Sequence, residues 1–460
     1  MTRINNKNMI KSVNKEDTIN NNDLLKDNFL KIKTTKFYQN IVDVFNTTKY
    51  NVDKLQLKTT CDLQPLNKGG GAPLMFILFS RMYKLELIKS LFKFTPKLDD
   101  IETFIEWYRI HQIDIDMVKM TQLIKNSKDQ ELLDIYSVMF EIKGSRSYLH
   151  ESIYMNSFVS IDIQYDYERS GLVYAHYTGD NIDIHLYKYK DDLVAYHEIA
   201  NYIVELVRNT SIKYGGSNNN LKLTLFMCKN LKQIQDTTQN LLLSCDNINS
   251  GSCYPGKSIS IWRREEFIKV LFHETIHFCE FDFSSVTKGY SQMHKMLNDK
   301  IKIDGVDSCN ESYTETLAIF MHSYLLSQLT SIDVVNVLLM ELKFTIFQVC
   351  KLIKYYGGKS LRDMFKITME QNTSVRSYFI IKYIMLYNLD KVFEYIDVNG
   401  ITLNNHLKDY SRFIQGLIES GNYLLQTNNV FNMIDFNNKQ FIIKTARMSL
   451  IDILNENKII

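Results

Sequence analysis

The chain has 460 residues, 45% of them hydrophobic, which is too long for one ordinary domain and enough to bury a sizeable core. A formal net charge of +2 at pH 7 gives no strong nucleic-acid signal, because bulk nucleic-acid binding needs a concentrated basic face. The longest apolar run, LMFILF (Leu74–Phe79), is far short of a membrane span. The opening stretch MTRINNKNMIKSVNKEDTINNN lacks the apolar centre of a signal peptide, and the seven cysteines show no paired spacing. A reducing, cytoplasmic setting without membrane attachment is therefore expected.

In chain order, residues 1–72 read as a basic, largely flexible N-terminal tail. Lys and Arg outnumber Asp and Glu eleven to six over residues 1–60. NKGGGAP (Asn67–Pro73) is a flexible break. A helical region follows at 73–150, where Leu85, Ile88, Leu91 and Phe92 keep helical spacing. Near residue 157 the period changes to two. FVSIDIQYD, GLVYAHYT and NIDIHLYKY predict a meander of three strands. Leu193–Asn209 predicts an amphipathic helix, and LKLTLFMC (Leu221–Cys228) and SISIW (Ser258–Trp262) predict two further strands. From 331 to 460 the pattern is helical again, in pieces such as Val334–Tyr356, Ser374–Leu386 and Asn405–Leu425. These long helical flanks could also receive assembly partners.

The chemistry concentrates in REEFIKVLFHETIHFCEF, which has no Gly or Pro and a long apolar face, and so predicts a helix. Residues four apart share a face, so His273 and His277 can offer two nitrogens to one metal. Glu274, beside them, can act on a water bound to that metal. A zinc ion brings such a water's pKa to about 7, and the glutamate takes its proton. A third ligand is needed. The glycine and last histidine of a longer HExxHxxGxxH pattern are Glu280 and Phe283 here, which excludes that arrangement. A later predicted helix, CNESYTETLAIFMHSYL, carries Glu311 and Glu315 on one face. Glu311 is the expected ligand. Glu315, one turn on, can accept a hydrogen bond from the far nitrogen of a ligand histidine and fix its ring.

HETIH followed by NESYTE resembles the gluzincin class of zinc metallopeptidases, which includes thermolysin and the neutral aminopeptidases. The likeness spans about residues 220–330, with Glu315 where many members have Asp. A second resemblance, carried by NINSG and SISIWRREEFIKVLFHETIHFCEFDFS, is to uncharacterised HExxH proteins of large DNA viruses of protists. It implies a viral, intracellular setting, with association with the virion if the protein is viral.

The first resemblance implies an α+β fold: a zincin-like catalytic domain at 151–330, with a small mixed sheet over the HExxH helix, flanked by the two helical regions. It implies a Zn2+ cofactor bound by His273, His277 and Glu311, with Glu274 as general base. A peptide or protein substrate would lie along an edge strand, with Asn247, Asn249 and Gly251 as contacts. The donor to the oxyanion stays open. Tyr290 and His294, between the two metal-bearing helices, rank ahead of Tyr313 and His322. His176, His185 and His197 read as structural. The competing reading is a non-catalytic scaffold that keeps the fold and a structural zinc.

Overall fold

The computed structural model describes residues 25–50, 54–63, 74–87, 117–136, 159, 163, 170–216, 218–234, 243–282, 309–369, 371, 373–403, 406–426, 430, 431, 434–436 and 441–452. It is a mixed α+β structure around one six-stranded sheet. The strands are β1 (Gln56–Leu63), β2 (Leu172–Gly179), β3 (Ile182–Tyr189), β4 (Leu221–Phe226), β5 (Gly251–Tyr254) and β6 (Ser258–Ile261). Their order is β1-β2-β3-β4-β6-β5. β1, β2 and β3 run antiparallel. β3, β4 and β6 are parallel, and β5 closes the far edge antiparallel to β6. The parallel step from β3 to β4 needs a crossover, supplied by the predicted amphipathic helix.

The helices are α1 (Lys36–Thr47), α2 (Leu74–Lys84), α3 (Met117–Ser127), α4 (Gln130–Tyr136), α5 (Tyr196–Lys213), α6 (Phe267–Phe278), α7 (Cys309–Thr330), α8 (Val334–Tyr355), α9 (Lys382–Tyr387), α10 (Leu389–Asn399) and α11 (Leu407–Ser420). Single helical turns supplement them. α5 is the crossover, and α6 carries HETIH. Among the described residues no helix is long and apolar enough to cross a membrane.

Two expectations are corrected. Residues 25–50 and 54–63, expected in a largely flexible tail, form elements instead: 25–32 is helical, followed by α1 and β1. The Thr35 hydroxyl caps α1 by accepting from the Tyr38 amide, and Phe37, Tyr38, Ile41, Val44 and Phe45 are buried. That spacing of three and four is an amphipathic face. The charge surplus masked it: Lys26, Lys31 and Lys36 are exposed along this stretch while the apolar residues turn inward. The predicted three-strand meander is also revised. β2 and β3 form as expected, but the strand beside β2 is β1. The described Ile163, within the expected first strand, is helical. Val159 and Ile163 are both buried in one cluster. Positions four apart share a face in a helix and in a strand, so that pattern could not choose between them. Ile88, Leu91 and Phe92 lie outside the described residues.

The sheet separates two apolar layers. Ile184 and Leu186 of β3 join the main core with Leu271, Phe272 and Ile276 of α6. Tyr187 of β3 faces the other way, with Tyr174, Phe226 and Trp262. All twelve residues of α6 are buried. Each large apolar side chain buried there contributes about 1.5–3 kcal/mol. The same core takes residues from Leu25 to Met448, so the N-terminal segment and the C-terminal helices pack around the HETIH helix.

Candidate metal centre

α6 starts at Glu266, a non-glycine residue in the left-handed region at φ 58°. Four hydrogen bonds hold it there, three of them buried. The Met448 and Ser449 amides donate to one carboxylate oxygen at 2.9 and 2.6 Å, and Lys232 Nζ donates to the other at 2.7 Å. The Glu266 amide donates to Asp452 at 2.9 Å. The chain's C-terminal segment thus fixes where the helix begins, and so where its histidines point.

α7 brings the carboxylates. His273 Nε2 and His277 Nε2 are 3.0 Å apart, and each is 3.1 Å from Glu311 Oε2. Three ligands about 2.0–2.1 Å from a tetrahedral ion stand about 3.3 Å apart, close to this triangle. The opposite ring nitrogens are already committed. His273 Nδ1 is 2.8 Å from Glu315 Oε2, and His277 Nδ1 is 2.7 Å from Asp282 Oδ2. Ionised carboxylates only accept, so both Nδ1 atoms carry hydrogens. In neutral rings both Nε2 lone pairs then face each other and a carboxylate oxygen. Protonating one ring relieves two edges of this triangle. Protonating both sets two N–H groups against each other. A divalent cation relieves all three edges, so the donor set fits a metal.

The electrostatics follow from this crowding. Burial opposes charge on both rings. Hydrogen bonds to Glu311 and Glu315 nevertheless raise the His273 pKa, and Asp282 and Glu311 hold His277 well above the usual histidine value. Burial also pushes Glu311 upward, but the two imidazoles outweigh it and hold the carboxyl below its usual range. Glu315 is held down against burial by Lys269, whose Nζ donates to its two oxygens at 2.9 and 3.1 Å. Removing Lys269 would leave Glu315 buried without its main counter-charge, at a cost of about 3–5 kcal/mol.

Glu274 lines a cavity with His273, Asn249, Gly251 and Tyr378. Among the described residues no group hydrogen-bonds its carboxylate, and burial raises its pKa. β5, the terminal strand of the sheet, passes directly over it. A Cβ at Gly251 would stand 2.7 Å from Glu274 Oε1, so glycine is what lets the strand come this close. Asn249 also lines the cavity and accepts from the Thr373 hydroxyl at 2.9 Å. Asn247 does not fit a substrate contact. It is buried, with its Oδ1 accepting from the Ser244 amide and its Nδ2 donating to the Gln233 carbonyl. Its role is to cap the single turn Cys245–Ile248.

Tyr290 and His294 lie outside the described residues. Tyr313 is committed elsewhere, donating to the Ile401 carbonyl at 2.7 Å. His322 is a core histidine, with burial pushing its pKa to about 3. Two residues in the site carried no sequence signal strong enough to single them out. Asp282 stands five positions after His277 and also accepts from Asn310 at 2.7 Å. Tyr378 sits on a π-helical turn (Ser377–Ile381), a geometry that recurs at functional sites. Its ring is 6.0 Å from that of His273. Burial and the neighbouring carboxylates raise its pKa well above the usual tyrosine value.

No protein-family profile matches the chain, and no solved structure matches it. It is 22% identical over 347 residues to R210, an uncharacterized protein of Acanthamoeba polyphaga mimivirus, across 70% of this chain and 82% of that protein. This similarity agrees with the viral resemblance drawn from the sequence.

Proposed function

We propose that the protein is a zinc-dependent metallopeptidase with a zincin-like core. The observation that carries this reading is the convergence of His273 Nε2, His277 Nε2 and Glu311 Oε2 at 3.0–3.1 Å, with both Nδ1 atoms committed to carboxylates. Zinc bound by these three groups would acidify a water and polarise a carbonyl. The chain's own residues do the rest. Glu315 and Asp282 hold the two imidazoles in orientation. Glu274, with no other hydrogen-bond partner among the described residues, takes the proton of the attacking water and passes it to the leaving amine. Tyr378 stays protonated, as a donor to the oxyanion requires, and so takes the role first sought in Tyr290 and His294. The outer edge of β5 has no strand partner among the described residues and offers backbone groups to an extended peptide.

The test is a peptide-library cleavage assay on the purified protein. Cleavage is expected to vanish with a chelator, to return with zinc, and to be lost in Glu274→Gln with the metal retained. A zinc-loaded protein that cleaves no peptide and binds its partners equally well with Glu274→Gln would favour the scaffold reading.

A further inference from the structure

A second histidine–carboxylate cluster lies on the opposite face of the sheet. His176 on β2 and His185 on β3 are direct partners across the antiparallel pair. Their rings stack in parallel, with centroids 4.5 Å apart and planes 8° from parallel. Asp183, two residues before His185, projects to the same face because strand side chains alternate. One of its carboxylate oxygens contacts His176 Nε2 and the other lies 3.4 Å from His185 Nε2. One ligand atom from each of the three residues lies within 4.8 Å of the others.

We propose that His176, Asp183 and His185 form a second divalent transition-metal site, suited to zinc. Two imidazoles and one carboxylate are the borderline donors that such ions prefer. The site is supported as metal sites are. His185 is buried, and its Nδ1 is 2.9 Å from the Tyr174 hydroxyl, which orients Nε2 toward Asp183. His176 and Asp183 remain partly exposed, with side chains 24% and 43% accessible, so an ion can enter and keep water in its open positions. The residues around Glu274 are on the other face of the sheet, so this ion would clasp the β2–β3 hairpin rather than take part in hydrolysis. The proposal does not depend on the peptidase reading.

Zinc titration of the full chain, with metal analysis after gel filtration, tests it. Wild type is expected to bind two zinc ions. His176→Ala and Asp183→Asn should each bind one, and so should His273→Ala. Circular dichroism checks that each variant is folded. In addition, zinc should raise the melting temperature of His273→Ala but not of His273→Ala/Asp183→Asn. If His176→Ala and Asp183→Asn both bind as many ions as wild type, the proposal is overturned. If wild type binds one ion that His273→Ala keeps and His176→Ala loses, this site stands and the buried one fails.

Discussion

The two histidine–carboxylate clusters sit on opposite faces of one sheet and are built in opposite ways. The buried cluster places His273 and His277 one helical turn apart and draws its carboxylates from α7 and from Asp282. Every imidazole nitrogen in it has a neighbour within 3.1 Å. The hairpin cluster is supported on one ring, by the Tyr174 hydroxyl, and opens toward solvent at Asp183. Among the described residues, only the buried cluster has a further carboxylate, Glu274, in the cavity beside His273 and under the edge strand β5. On the proposed reading, the difference is that metal-binding donors alone do not make a hydrolytic centre. A base without other partners and a place for the substrate must adjoin them.

The sharpest way to break this comparison is Glu274→Gln. It should lower peptide cleavage by on the order of a thousandfold or more while both zinc equivalents remain, read by steady-state kinetics beside metal analysis. A variant with near-normal cleavage would remove the distinction between the clusters. Tyr378→Phe comes next. Loss of one oxyanion donor should reduce kcat by roughly 10²–10³, with zinc content unchanged. An effect on KM alone would make Tyr378 a wall of the cleft.

Smaller changes compare the support behind each pair of rings. Asp282→Asn replaces the acceptor behind His277 and should weaken zinc binding at the buried site by about 10–100-fold, measured by chelator competition. Tyr174→Phe removes the partner of His185 Nδ1 and should weaken the hairpin site by about tenfold or less. Equal losses at the two sites would mean that burial adds nothing to the support. Zinc should also stabilise the fold. At a hundred times its Kd, one site adds about 2.7 kcal/mol to unfolding, seen as a rise in melting temperature.

The buried cluster was largely legible because its information is local. A spacing of four on a helix aligns two nitrogens whatever else the chain does, and Glu311 and Glu315 repeat that spacing on α7. The hairpin cluster was not legible as a site. His176 meets His185 only through the register of β2 and β3, which is fixed by a two-residue turn with Asn181 in the left-handed region. Asp282 and Tyr378 were missed for a similar reason: tertiary packing brings them to the site, and no local spacing points to them. β4, β6 and α5 were readable from apolar period, whereas β1 was hidden in a polar segment, QLKTTCDL, that reads as a tail until β2 pairs with it.

The central claim is that His273, His277 and Glu311 hold one metal ion between them. An anomalous difference map at the zinc edge, from crystals of protein purified without chelator, tests it directly. The predicted result is a peak about 2.0–2.1 Å from His273 Nε2, His277 Nε2 and the Glu311 carboxylate together. A map with no peak there, even after zinc is added, would contradict the account.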